Sequence, residues 1–309
     1  MPRKNVSVAL VAASVAAVVL TGCASTAQEG ASDDGLVQVV ASTNAYGDIA
    51  AAVGGDLVEV TSLIDSASQD PHEFEASASD QLAIQSAQLI VENGGGYDPF
   101  IDSLIESSGS DAPVISAVEY SDAWTGDDPT EAVEGFNEHV FYAPAVMAEV
   151  AAAIADQLSE IAPDAADEFT ANAQAFADDL DQQVTPILEA IAADHAGEEI
   201  FVTEPVPLYL AEAAGLVNVT PEEFSEAVEE GNDVAPATLL EALEVIGSGD
   251  VRIVFVNAQA AGAETTQVEE QAETSGVPVV EASELLPDGD TYVSWMTDMA
   301  TQIKDALSE

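Results

Sequence analysis

"LVQVVASTNAYGDIAAAVGGDLVEVTSLI", residues Leu36 to Ile64, sets how the rest of the chain is read. Its opening run, Leu36–Thr43, is short and almost wholly apolar, the pattern of a strand buried on both faces. "NAYGDIAAAVGG" follows with helical character and stops at Gly54-Gly55, residues suited to a helix end. A second apolar run, Leu57–Ile64, is the next strand. Strand, helix and strand at these lengths predict a parallel sheet covered by helices.

The same alternation continues outward from this unit. A helix at Ser79–Ala87, a strand at Leu89–Gly94, a helix near Pro99–Glu106 and a strand at Ala112–Ala117 complete a first array. Residues 118–138 read as an acidic surface loop. A long helical region runs from Ala143 to about His195, with Pro186 placed to kink or break it. A second array begins with "EIFVTEPVP" (Glu199–Pro207) and a helix at Leu208–Ala214. After an acidic loop, "TPEEFSEAVEEGNDVAP", come a helix at Ala237–Ile246 and a strand at Val251–Ala258. A helix near Thr265–Thr274, a strand at Val277–Ser283 and a terminal helix at Tyr292–Leu307 close it. The expected fold is α/β: two lobes, each a mainly parallel sheet flanked by helices, joined by a long rigid helix. The expected boundaries are 36–162, 163–195 for the linking helix, and 196–309.

The ends and the charge set the setting. Residues 1–22 have a basic start (Arg3, Lys4) and an apolar run, the form of a secretory signal peptide. Leu20-Thr21-Gly22-Cys23 looks like a bacterial lipobox, which makes Cys23 the lipidation site and 23–35 a flexible tether. The expected location is therefore the extracytoplasmic face of the cell membrane, held there by acyl chains. Cys23 is the only cysteine, so an intrachain disulfide and a Cys-based metal site are excluded. Four basic residues stand against 58 acidic ones. Such a surface repels nucleic acid and concentrates cations, and it suits a high-salt habitat in which self-repulsion is screened.

Ligands of open parallel sheets bind beyond the carboxyl ends of the strands. His72 in "DPHEFEAS", Glu204 at the end of "IFVTE" and Glu284 after "VPVVEAS" occupy such places, and His139 in "FNEHVFYAP" lies in the loop before the long helical region. Separations of 67, 65 and 80 residues exclude a local zinc-finger pattern. The third histidine, His195, reads as an ordinary polar loop residue, and Trp124, Trp295 and Tyr292 read as packing residues. "NGGGYDPF" (Asn93–Phe100) lacks the lysine and spacing of a phosphate loop and reads as a turn near the cleft.

These four segments, with "VVASTNAYGDIA", resemble the motif regions of the metal-binding receptors of manganese and zinc ABC importers, over essentially all of the chain after the tether. The resemblance implies two lobes joined by a rigid helix, with one divalent ion held between them as transported ligand. His72 and His139 fall on the family's histidine ligands, Glu204 on its His-or-Glu ligand, and Glu284 where Asp is usual. Glu281, three residues earlier, offers a competing carboxylate. Two imidazoles and two carboxylates balance a divalent charge in a dry cleft. Glutamate at the third position, and no histidine in Ser121–Glu138, favour Mn2+ over Zn2+. The implied partners are the transmembrane subunits of an ABC permease and, through the anchor, the membrane; the receptor is expected to be a monomer. The competing readings are a surface adhesin, for which acidity and anchor suffice, and a metallohydrolase. The latter needs an open coordination position and a general base, and no HExxH pattern is present.

Overall fold

A computed structural model describes residues 35–66, 69, 71, 74–260 and 262–308. The first sheet contains β1 (Val37–Thr43), β2 (Val58–Ile64), β3 (Leu89–Glu92) and β4 (Val114–Ser116). The second contains β5 (Glu199–Val202), β6 (Val217–Asn218), β7 (Val251–Asn257) and β8 (Val279–Ala282). The spatial orders are β2-β1-β3-β4 and β6-β5-β7-β8, with every pairing parallel. In each half the second strand lies on one side of the first and the third on the other. The crossovers therefore part at the carboxyl ends of β1/β3 and of β5/β7, where an open sheet forms its crevice.

Strand periodicity explains how each sheet is covered on both faces. Val39 and Ala41 of β1 belong to the large core, while Val40 between them joins a second cluster with Leu63, Ile64, Ile84 and Ile101. In β7, Ile253 and Phe255 face the large core, while Val254 and Val256 face a third cluster around Phe224 and Val268. Alternate side chains of one strand point to opposite faces, so an all-apolar strand requires cover on both. That cover comes from α1 (Asn44–Gly54), α2 (Ala78–Ser86) and α3 (Phe100–Ser108) in the first half. Then follow α4 (Pro144–Ile161), α5 (Ala166–Gln183) and α6 (Thr185–His195). The second half has α7 (Leu208–Ala213), α8 (Glu222–Glu229), α9 (Pro236–Ile246), α10 (Ala263–Ser275) and α11 (Tyr292–Leu307).

The large core runs from β1 through α4, α5 and α6 to β5, β7 and α11 without interruption. Hydrogen bonds lock the two halves across it. The Asn44 side chain donates to the Leu286 carbonyl at 2.8 Å and accepts from the Leu286 amide at 2.9 Å. Asp48 on α1 accepts from the Tyr292 amide at 2.7 Å, which caps the start of α11. The Tyr292 hydroxyl donates to the Phe141 carbonyl at 2.7 Å. Tyr292 and Trp295 are buried packing residues in edge-to-face contact, as expected from sequence.

Two sequence expectations are corrected and one is met. The acidic segment after Val217, expected as a loop, contains α8. Phe224 is fully buried there, Ala227 and Val228 pack beside it at helical spacing, and Glu222 and Glu223 occupy the first turn, where acids oppose the helix dipole. The strand expected to end at Glu204 ends at Val202, with Thr203 adding one further ladder bond to Phe255 at 2.9 Å. The helical region is broken beside Pro186, as its sequence predicts, with the interruption at Val184. Pro186 has no N–H to bond back to residue 182, so α5 ends at Gln183 and α6 restarts with proline in its first turn.

Candidate metal centre

Glu204 lies two residues beyond β5 and Glu284 two beyond β8; they are 3 % and 1 % exposed. Asn257, the last residue of β7, joins them. Its Nδ2 donates to Glu204 Oε2 at 2.5 Å and to Glu284 Oε1 at 2.7 Å. The orientation of that amide is fixed from its other side, because Asn257 Oδ1 accepts from the Gln259 backbone at 3.0 Å. Gln259 also holds the loop of Glu284, its Oε1 accepting from the Glu284 amide at 3.0 Å. Glu281 lies on β8 and is exposed, so of the two competing carboxylates only Glu284 reaches this interior.

His139 is fully buried and precedes a short turn, Val140–Tyr142, whose three side chains are all buried and fix its approach. Its Nδ1 lies 2.8 Å from Asn137 Oδ1. Asn137 Nδ2 donates to the carbonyl of Pro205, next to Glu204, at 3.0 Å, so Oδ1 is the amide oxygen facing the ring. An amide oxygen only accepts; Nδ1 must therefore carry the proton, and in the neutral ring Nε2 keeps its lone pair for a ligand. Tyr97 and Phe141 meet the imidazole edge-on, each at 5.7 Å between ring centroids. Burial, and then the charge of Glu284, push the Tyr97 phenol well above its ordinary value.

Glu204 and Glu284 face one cleft. A cavity of about 770 Å³ is lined by Glu138, Glu204, Glu229 and Glu284, with Gly96 and Gln259 on its wall. Glu229, at the end of α8, brings Oε1 to 3.9 Å from His139 Nδ1 and forms with His139 and Glu138 a cluster able to hold an ion. Burial, then the neighbouring charges of Glu138, Glu204 and Glu284, raise the Glu229 carboxyl to about 9. Sequence reasoning missed Glu229 because its helix was read as loop; the spacing of Phe224, Ala227 and Val228 was the available signal. Asn137 and Asn257 were missed too, being neutral side chains that matter only through contacts across 68 and 53 residues.

The turn after β3 gives the cleft its floor. Gly94 and Gly96 have φ of +77° and +95°, and a Cβ on either would come within 2.8 Å of Pro129 O or of the Ala132 side chain. Asp98 holds this turn by accepting from the Asn93 and Gly94 amides at 2.7 and 2.8 Å. His72 and Cys23 lie outside the described residues. Beside His72, Pro71 is buried and Phe74 packs on Phe100 at 4.7 Å. His195 sits at the end of α6, 3.2 Å from Glu198, as a surface residue away from the cleft. Trp124 packs against Phe136 at 4.9 Å, an edge contact within the acidic 118–138 segment.

Residues 39–306 match the family described as ZnuA, zinc-uptake complex component A, periplasmic. The chain is 27 % identical over 311 residues to the manganese-binding lipoprotein MntA of Halalkalibacterium halodurans, covering 96 % of each. It is 25 % identical to the zinc-binding lipoprotein AdcA of Streptococcus pneumoniae, covering 98 % of this chain and 61 % of that one. The fold matches a zinc-bound deletion mutant of ZnuA with a TM-score of 0.73 at 22 % identity, covering 89 % of this chain and 99 % of the other. The chain therefore belongs to the ZnuA family, the metal-binding receptors of manganese and zinc ABC importers, and is not an enzyme.

Proposed function

We propose, with membership of this family as the premise, that the chain captures Mn2+ in preference to Zn2+ and passes it to an ABC permease. His72, His139, Glu204 and Glu284 are the proposed ligands. The reading rests above all on charge. Glu204 and Glu284 are buried side by side, and among the described residues no lysine or arginine is placed beside them. Arg3 and Lys4 precede the described residues, Arg252 lies at the surface 3.8 Å from Glu198, and Lys304 is exposed on α11. Two buried carboxylates cost several kcal/mol unless a positive charge meets them, and a captured divalent ion beside the imidazoles supplies that charge. Imidazole Nε2 and carboxylate oxygen suit a first-row divalent metal.

Manganese over zinc is supported by glutamate at position 204, which makes the donor set harder, and by similarity to a manganese-binding lipoprotein along nearly its whole length. The Leu20–Cys23 motif and the similarity to lipoproteins support lipidation at Cys23 and an extracytoplasmic position. Among the described residues no helix is long and apolar enough to cross a membrane, which leaves acyl chains as the proposed attachment. The test is dialysis of the protein against equal Mn2+ and Zn2+ in high salt, then elemental analysis, repeated with Glu204→His. The expected result is bound manganese in the parent and a shift toward zinc in the variant; an unchanged ratio removes this account of selectivity.

A further inference from the structure

We infer that Asn257 is a positioning residue for the metal: its single amide nitrogen holds the two carboxylate ligands of the second lobe in their binding geometry before the ion arrives. This rests on the reading of Glu204 and Glu284 as ligands. Those carboxylates come from separate loops, after β5 and after β8, and like charges at close range would drive them apart. Asn257 stands on the strand between, β7, which pairs with both. Its two amide hydrogens match its two short contacts, 2.5 Å to Glu204 and 2.7 Å to Glu284, so each carboxylate receives one.

The residue is itself held on three sides. Its backbone amide donates to Thr203 Oγ1 at 3.2 Å, its Oδ1 accepts from Gln259, and the next residue's amide donates to the Ala282 carbonyl at 2.8 Å. The donor therefore belongs to a rigid strand end rather than to a loop. One oxygen of each carboxylate is engaged by this amide, and the other oxygen of each, Glu204 Oε1 and Glu284 Oε2, is buried with it in the cleft region. The amide thus does in the empty receptor part of what the cation does in the loaded one. It keeps two anions side by side and lowers the ordering cost of binding.

The test is a graded series that removes donor hydrogens: Asn257 with two, Asn257→Ser with one, Asn257→Leu with none. Mn2+ affinity is read by competition with a chromophoric chelator, and the electron paramagnetic resonance spectrum of bound Mn2+ is recorded for each folded variant. Removing a group that orients metal ligands costs about 10- to 100-fold in affinity, and the loss is expected to grow from Ser to Leu with an altered Mn2+ spectrum. A merely structural role would lower the melting temperature and leave the spectrum of bound Mn2+ as in the parent. If Asn257→Leu fails to fold, Asn257→Ser decides alone. Affinity within about twofold of the parent and an unchanged spectrum overturn the inference, since the loss expected is about tenfold or more. Glu204→Ala is the control. If it binds Mn2+ like the parent, the ligand reading itself fails; if it loses binding while the Asn257 variants keep it, only this inference fails.

Discussion

Glu92→Gln is predicted to stabilise the protein, and more so at higher pH. Glu92 ends β3 and is 2 % exposed. Its Oε1 accepts from the Ser116 hydroxyl at 2.6 Å, while Oε2 is buried with no hydrogen-bond partner. Burial first, and the nearby Asp98 carboxylate second, raise its pKa from 4.5 to about 8. A carboxyl raised on folding gives stability that is complete below its unfolded value and is lost as pH rises through the folded one. Between pH 4.5 and 8 the unfolded chain releases a proton that the folded chain keeps, so stability falls along that window. At about 1.4 kcal/mol per pH unit, the penalty reaches roughly 3 kcal/mol at pH 7. Glutamine has the shape of the protonated acid and keeps an acceptor for Ser116 without needing a proton. Urea unfolding with a metal chelator in high salt, at pH 5, 6, 7 and 8, should show parent and variant nearly equal at the acid end and diverging upward. A constant gap, or a parent whose stability does not fall across this range, refutes the reasoning.

The remaining predictions address fold, salt and ligands. Phe224→Ala removes a fully buried ring in edge contact with Phe201 at 5.5 Å and should cost about 3–5 kcal/mol, read as a drop in the unfolding midpoint. Because α8 carries Glu229 toward His139, the same variant should bind metal more weakly than its lost stability alone explains, read by titration well below its melting temperature. With 58 acidic residues against 4 basic ones, the melting temperature should rise steeply with NaCl as repulsion is screened, and a flat salt dependence would contradict this. His72→Ala and His139→Ala should each weaken metal binding by orders of magnitude with circular dichroism unchanged; calorimetric titration equal to the parent's would remove that histidine from the ligand set.

Strands and covering helices could be read in the chain because burial on both faces writes a local pattern. The runs at Leu36–Thr43 and Val251–Ala258 carry consecutive apolar residues through their middles, and each proves to feed two cores. Helix α8 escaped because eight residues carrying four glutamates look like solvated loop, although its apolar face is only three side chains wide. Of the site, the residues with distinctive chemistry were visible: His139 is scarce in this chain, and Glu204 follows a buried strand. Glu284 and Glu281 could not be separated on chemistry, since both are carboxylates near one strand end; burial separates them, Glu281 exposed and Glu284 interior. Asn137 and Asn257 were invisible for a different reason. Their importance lies in partners far along the chain, Pro205 for one and two glutamates for the other, and no local pattern records such pairings.

The most direct test of the account is a crystal structure of the Mn2+-loaded protein with anomalous scattering recorded for the metal. The account predicts one ion in the cleft, bonded to an imidazole nitrogen of His72, Nε2 of His139, and an oxygen each of Glu204 and Glu284. An ion bound instead among Glu138, Glu229 and surface acids, with Glu204 and Glu284 turned away from it, would contradict the account.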